Sequence, residues 1–238
     1  MLGRFPQIDT VMAVTSDTLN SSYVHSWDVS PREAVSLQRK LSRHVIRSDR
    51  LGAVRRVAGI DVGYEKGGQL ARAAVVVLEY PSLQVCEKAL IRRPVRFPYI
   101  PGLLSFREVP AALAALQALK EPPDLLLCDG QGYAHPRRFG LACHLGLLAD
   151  IPAIGVGKTR LCGVHDAIDG ARGDWAPLRD RGQLIGAVLC TRPGFKPIYI
   201  SSGHRISLRA AIRYVMGCTT RFRLPETTRA AHRLASGN

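Results

Sequence analysis

At 238 residues the chain fits one large domain or two small ones and can bury a substantial core. Apolar residues make up 46% of it, yet no stretch long enough to span a bilayer is free of charge, so no membrane span is expected. Thirty-three Lys and Arg against 19 Asp and Glu leave a net charge of +14 and a pI near 10.1, which points to a polyanionic partner, nucleic acid first. Charge alone separates neither DNA from RNA nor either from simple solubility.

Residues 1 to about 24 are rich in Ser, Thr and Asp and lack periodicity. They read as a mobile N-terminal extension, and they lack the basic head and apolar run of a secretory signal. Residues 25–238 read as one α/β domain, with no internal repeat and no linker. Six cysteines without C-x-x-C spacing, three of them (Cys86, Cys128, Cys190) in strand-like apolar runs, read as buried reduced thiols in a cytoplasmic protein.

A helix is expected from Ser30, with Ser30 as N-cap, Pro31 at its first position, and Ala34, Leu37, Leu41 and Val45 on one face. A basic connector, 47–56, follows. Residues 57–63 read as a strand carrying a single acid, Asp61, and 73–80 and 83–91 as two more strands about a Pro81-Ser82 turn. Such adjoining strands imply antiparallel pairing at the start of a mixed sheet. A helix opening at Ser105 has Phe106, Val109, Leu113, Leu116 and Leu119 on its core face. The run 125–128 is short and wholly apolar, as a strand buried on both faces should be. A helix from about 136 to 149, a strand at 152–157, a polar loop at 166–180, strands at 183–190 and 198–201, and helices at 208–216 and from 227 onward complete the reading.

Three acids stand out. Asp129 ends the central strand beside Gly130 and Gly132, where open α/β sheets gather ligands; it is either a metal ligand or part of an Asp-Gly turn. Asp61 has no local structural use in so apolar a strand. Glu108 follows Ser105 by three residues, so it is either a capping-box acid or a ligand. Carboxylates converging at one sheet edge would suit Mg²⁺ or Mn²⁺, which polarise phosphate and activate water. His135 follows the glycine loop, and His144 reads as structural within a helix. Lys158 follows a strand ending in glycine, as a phosphate contact or a solvated residue. His232 lies on the basic terminal helix with no local sign of a role. In Pro98-Tyr99-Ile100-Pro101 two prolines stiffen an aromatic-aliphatic pair, which is either a wedge for a base step or a loop packed on the core. Neither a zinc spacing nor a Walker A motif is present.

Taken together, Gly59-Ile60-Asp61-Val62-Gly63, the stretch from Pro98-Tyr99-Ile100-Pro101 through Gly102, Leu103 and Leu104 to Glu108, Asp129-Gly130-Gln131-Gly132 with His135, and Gly155-Val156-Gly157-Lys158 resemble the endonuclease V family of deoxyinosine 3′-endonucleases. The resemblance runs from about Trp27 to His232. It implies an RNase H-like fold, a mixed central sheet flanked by helices. It also implies Mg²⁺-dependent cleavage, with Mn²⁺ as a substitute, of the second phosphodiester bond 3′ to a deaminated purine in DNA, leaving 3′-hydroxyl and 5′-phosphate ends. By motif position it assigns Asp61, Glu108 and Asp129 as catalytic metal-binding acids. His232 falls where members carry His or Asp near the metal, Tyr99 at a wedge tip flanked by Pro98, Ile100 and Pro101, and His135 and Lys158 close to the cleaved strand. Gly102, Leu104, Gly130, Leu141 and Gly155 match a base pocket built largely of main chain. Gly157 replaces a common alanine, and Thr227 a usual second proline. The expected protein is a monomer acting on deoxyinosine-containing DNA. The alternatives are an inosine-specific endoribonuclease and a non-catalytic nucleic-acid-binding module of the same fold.

Overall fold

A computed structural model of the protein describes residues 20–237. Strands β1 (Arg56–Glu65), β2 (Leu70–Glu79) and β3 (Val85–Pro94) form an antiparallel meander. Beside β1 lies β4 (Leu125–Asp129), and beside that β5 (Ala153–Gly157), both pairings parallel. Antiparallel neighbours β8 (Ile198–His204), β7 (Gln183–Leu189) and β6 (Trp175–Asp180) extend the sheet, giving the order β3-β2-β1-β4-β5-β8-β7-β6. Five helices flank it: α1 (Pro31–Leu41), α2 (Leu104–Gln117), α3 (Leu141–Ala149), α4 (Leu208–Gly217) and α5 (Glu226–Ser236). This is the RNase H-like arrangement the resemblance implies.

The central strands are apolar throughout because both faces are covered. Leu126 and Cys128 turn to a core shared with Val109 and Leu113 of α2 and Leu145 of α3. Leu125 and Leu127 turn the other way, to Ala211 and Val215 of α4 and Ala231 of α5. Fully burying one leucine stabilises a fold by roughly 1.5–3 kcal/mol, so this run anchors the sheet.

Four local readings change. Within the expected loop 166–180, β6 forms as an edge strand; its proline and charges hide it, and an edge position tolerates both. The helix expected from 136 begins at Leu141, because Arg138 takes a left-handed conformation (φ 59°) that no α-helix admits. Cys86 is exposed on β3, unlike the buried Cys128 and Cys190, though all six cysteines are free. Asn20–Val24 lie within the stretch read as a mobile extension, yet Asn20 N–H donates to Leu148 O at 2.9 Å and Tyr23 packs on the core. The rest of that stretch, residues 1–19, lies outside the described residues.

Candidate functional site

The parallel register of β1 and β4 places Ile60 opposite Cys128, which sets the next residues, Asp61 and Asp129, side by side at one sheet edge. Two glycines bring a helix onto them. Gly59, Asp61 and Gly63 share one face of β1 by the two-residue period of a strand. A Cβ on Gly59 would sit 1.9 Å from Thr227 O, and one on Gly63 2.6 Å from Ala235 O. Only without side chains there can α5 lie this close, and its closeness delivers His232 to Asp61, Nδ1–H donating to Oδ2 at 2.7 Å. Thr227, fully buried, leaves its hydroxyl oxygen without a partner.

Ligand atoms of Asp61, Asp129 and His232 lie within 4.8 Å of one another. The Lys158 ammonium stands 2.5 Å from Asp129 Oδ2. Burial pushes the Asp129 carboxyl up from its ordinary value, Lys158 opposes that, and the Asp61 charge adds to it. Glu108 is not among the three. It lies behind them, 7% exposed, with Tyr64 O–H donating to Oε1 at 3.1 Å. Burial first, with the charges of Asp61 and Asp129 adding, raises its pKa to about 8 despite the Tyr64 bond. Two half-buried carboxylates and an imidazole fit a hard divalent cation of the Mg²⁺ type by donor chemistry.

Beside the cluster opens a pocket of about 410 Å³, between Tyr99–Gly102 and the first turn of α2 on one wall and Lys158–Leu161 on the other. Its floor is Asp129, Gly130 and Leu141. The N-cap position of α2, Leu103, offers no side-chain cap; Phe106 N–H bonds to Leu103 O at 3.1 Å, and Leu104 and Ser105, the first two residues of the helix, line the pocket. Ser105 is the second residue of the helix. Its hydroxyl donates to His144 Nδ1 at 3.0 Å, which rules it out as a cap. His144 in turn donates from Nε2 to His25 Nε2 at 2.8 Å, since His25 spends its own proton on Ser26 O.

Gly102 has a left-handed backbone (φ 79°), and three side chains converge on its carbonyl. It accepts from Gln38 Nε2 at 3.0 Å, His135 Nε2 at 3.1 Å and Arg137 Nη2 at 2.6 Å. His135 Nδ1 meanwhile accepts from Arg137 N–H at 3.2 Å, which fixes the neutral tautomer, and burial lowers its pKa to about 4. Tyr99, at the loop tip, is 71% exposed.

Of the residues singled out by sequence, Tyr99, Ile100, Pro101, Gly102, Leu104, Asp129, Gly130, His135, Leu141 and Lys158 line the pocket. Pro98 does not. Gly155 lies beneath it, where a Cβ would meet Gly132 N at 2.1 Å. Two glutamines were missed. Gln38 is a polar residue on the inward face of α1, a signal that was present; its Oε1 also accepts from Arg137 Nε. Gln131, whose Nε2 donates to Thr159 O at 2.9 Å, bridges the two strand-end loops and carried no local signal.

A mixed sheet of this topology, with acids at the ends of adjoining parallel strands, a lysine among them and a basic surface, defines a phosphodiester-cleaving nuclease of the RNase H-like class. The endonuclease V family model matches residues 39–233. The chain is 55% identical over 212 residues to endonuclease V of Roseiflexus castenholzii, covering 89% of this chain and 95% of that one. Endonuclease V of Streptomyces avermitilis superposes with a TM-score of 0.85 at 42% identity, covering 89% and 94% of the two chains. That of Ciona intestinalis, solved in complex with a 24mer DNA containing an inosine followed by a ribo-adenosine, gives 0.77 at 32% identity, with 87% and 96% covered. The chain belongs to the endonuclease V family.

Proposed function

We propose that this endonuclease acts on DNA at deoxyinosine and other deaminated bases and hydrolyses the second phosphodiester bond 3′ to the lesion, as a monomer in the cytoplasm. The observation that carries the reading is the meeting of Asp61, Asp129 and His232 beside a pocket whose wall is an uncapped helix start. Asp61, Asp129 and His232 would hold Mg²⁺, for which Mn²⁺ could substitute, and Glu108 would join them if a cation's charge drew off its proton. Bound there, the cation would polarise the scissile phosphate and lower the pKa of water.

The chain's own groups do the rest. Val62 N–H and His232 fix the Asp61 carboxylate from two sides. Lys158 places a positive charge where negative charge develops on the phosphate. With the Gly102 carbonyl engaged by three side-chain donors, the uncapped α2 start is left to present donors. A 6-oxo group matches them and the 6-amino group of adenine does not. Tyr99, flanked by Pro98 and Ile100, fills the gap the everted base leaves.

The test is a nicking assay on matched DNA with and without deoxyinosine, in Mg²⁺, with chelator and with inosine RNA as separate arms. Metal-dependent nicking of inosine DNA alone supports the reading, and cleavage confined to RNA replaces the substrate. Asp129→Ala should abolish nicking with an unchanged melting temperature; near-normal cleavage by that variant would remove the proposed centre.

A further inference from the structure

The sheet edge that carries Asp129 and Lys158 continues past them. β8 runs antiparallel to β5 with Tyr199 opposite Gly157, so the loop entering β8, residues 192–197, reaches the same edge one strand further out. The loop between α4 and α5, residues 218–225, arrives there too. Arg223 knits the three segments together: Nε donates to Lys196 O at 2.6 Å, and Nη2 to Lys158 O at 2.7 Å and Pro197 O at 2.9 Å. Arg172 joins the roots of the two loops, donating to Thr191 O and Thr219 O, each at 2.7 Å. These two arginines are committed to main chain and fix a shape.

What that shape presents outward is cations and a ring. Phe195 is 49% exposed, with the Arg192 guanidinium 4.0 Å from its ring centroid. Lys196, the next residue, is exposed, and so is Arg221 on the neighbouring loop, its guanidinium 4.6 Å from the Phe222 ring centroid. None of Arg192, Lys196 and Arg221 has a carboxylate partner among the described residues, and the neighbouring Glu226 is taken by Arg229 at 2.6 Å. A merely solvated basic loop accounts for the charges. It does not account for a phenylalanine left half in water among them on a braced scaffold. Aromatic faces interleaved with cations are what a single nucleic-acid strand stacks and pairs on.

We propose that the Arg192–Lys196 loop and Arg221 form a second strand-binding shelf, which takes the unpaired 3′ flank of the cleaved strand, with Phe195 stacking against a base. This rests on the endonuclease reading above. The pocket is walled by α2 and α3 on one face of the sheet and the shelf springs from the α4–α5 loop on the other, with the cluster at the edge between them, so strand leaving the cleaved bond away from the pocket runs onto the shelf. Two strand spacings of ~4.8 Å separate β4 from β8. That is roughly 10 Å.

The experiment measures binding of inosine DNA by fluorescence anisotropy, in chelator to prevent cleavage, across a salt series. The proteins are wild type, Arg192→Ala/Lys196→Ala, Phe195→Ala, and Lys120→Ala as a control cation at the opposite end of the sheet. Each phosphate contact contributes ~0.7–0.9 to the slope of log affinity against log salt. The double variant should therefore lose roughly 1.5 from that slope, and Lys120→Ala nothing. Phe195→Ala should bind on the order of tenfold more weakly. Trimming the DNA just past the cleaved bond should weaken wild type more than Phe195→Ala, which keeps the phosphate contacts and has no stacked base to lose. Unaltered slopes, or equal losses on trimming for both proteins, would overturn the shelf. If wild type shows no preference for inosine, the substrate reading fails instead, and the slopes still judge the shelf.

Discussion

Two helices in this protein begin with the same letters and end up doing different things. At α1, Ser30 and Glu33 close a complete capping box. Ser30 Oγ accepts from Glu33 N–H at 3.3 Å, Glu33 Oε2 accepts from Ser30 N–H at 2.7 Å, and Pro31 holds the first position. At α2, Ser105 and Glu108 have the same spacing, yet neither caps anything. Ser105 serves His144, and Glu108 is buried behind Asp61 and Asp129 under the Tyr64 hydroxyl. The α1 start faces solvent, where its own two side chains are the cheapest partners for its orphan N–H groups. The α2 start faces the pocket, and there an unmet donor is useful to a ligand. A capping motif is thus a local offer that the tertiary setting accepts or declines.

The largest test of that contrast exchanges one atom. Glu108→Gln keeps the capacity to complete a box but removes the carboxyl that would ionise beside a cation, and should lower cleavage at least a hundredfold with the melting temperature held. Retained activity with lost stability would make α2 a second α1. Next, Tyr99→Ala alters the pocket's rim without touching the helix. Single-turnover cleavage of inosine duplex should fall on the order of tenfold to a hundredfold, and single-stranded inosine much less, since only the duplex must be unstacked. Equal losses would reduce Pro98–Pro101 to a packed loop.

Acid should separate the two helix starts without mutation. His135 and His144 support α2 in neutral form, and burial holds both below the ordinary value for histidine. A histidine with a depressed folded pKa contributes stability that is present above its unfolded value and lost as pH falls toward the folded one. Between pH 6.5 and about 4, His135 should cost roughly 1.4 kcal/mol per unit, and His144 adds in the same direction. Glu33, held below its usual range by Ser30, stays charged in that window and keeps the α1 cap. Hydrogen exchange at pH 5 should therefore rise in the first turn of α2 before that of α1; the reverse order would contradict the assignment. Smallest of all, Ser30→Ala should cost about 1 kcal/mol in denaturant melts and leave cleavage untouched.

Much of this was legible in the chain. Leu125–Cys128 reads as a doubly covered strand because no polar residue interrupts it, and Asp61 stands out for the same reason. Glu108 was ambiguous because the deciding fact, the burial of its carboxylate against β1, lies 44 residues away at Tyr64. His232 could not be placed from its own helix. Its place depends on Gly59 and Gly63, which look like ordinary strand glycines until α5 lies on them. β6 was lost because an edge strand need not alternate cleanly, and the start of α3 because nothing in Pro136-Arg137-Arg138 announces a left-handed arginine.

Gly157 carries a consequence for how such a site can change over time. A Cβ there would lie 2.1 Å from the Gln131 amide nitrogen, the group that holds the Thr159 carbonyl. An alanine at this position would meet only the far end of the Gln131 side chain, which can yield by changing rotamer at the cost of its bond to Thr159 O. A change at Gly157 would therefore be felt as the loss of one bridge between the two strand-end loops, behind Lys158, and not as a collision of backbones.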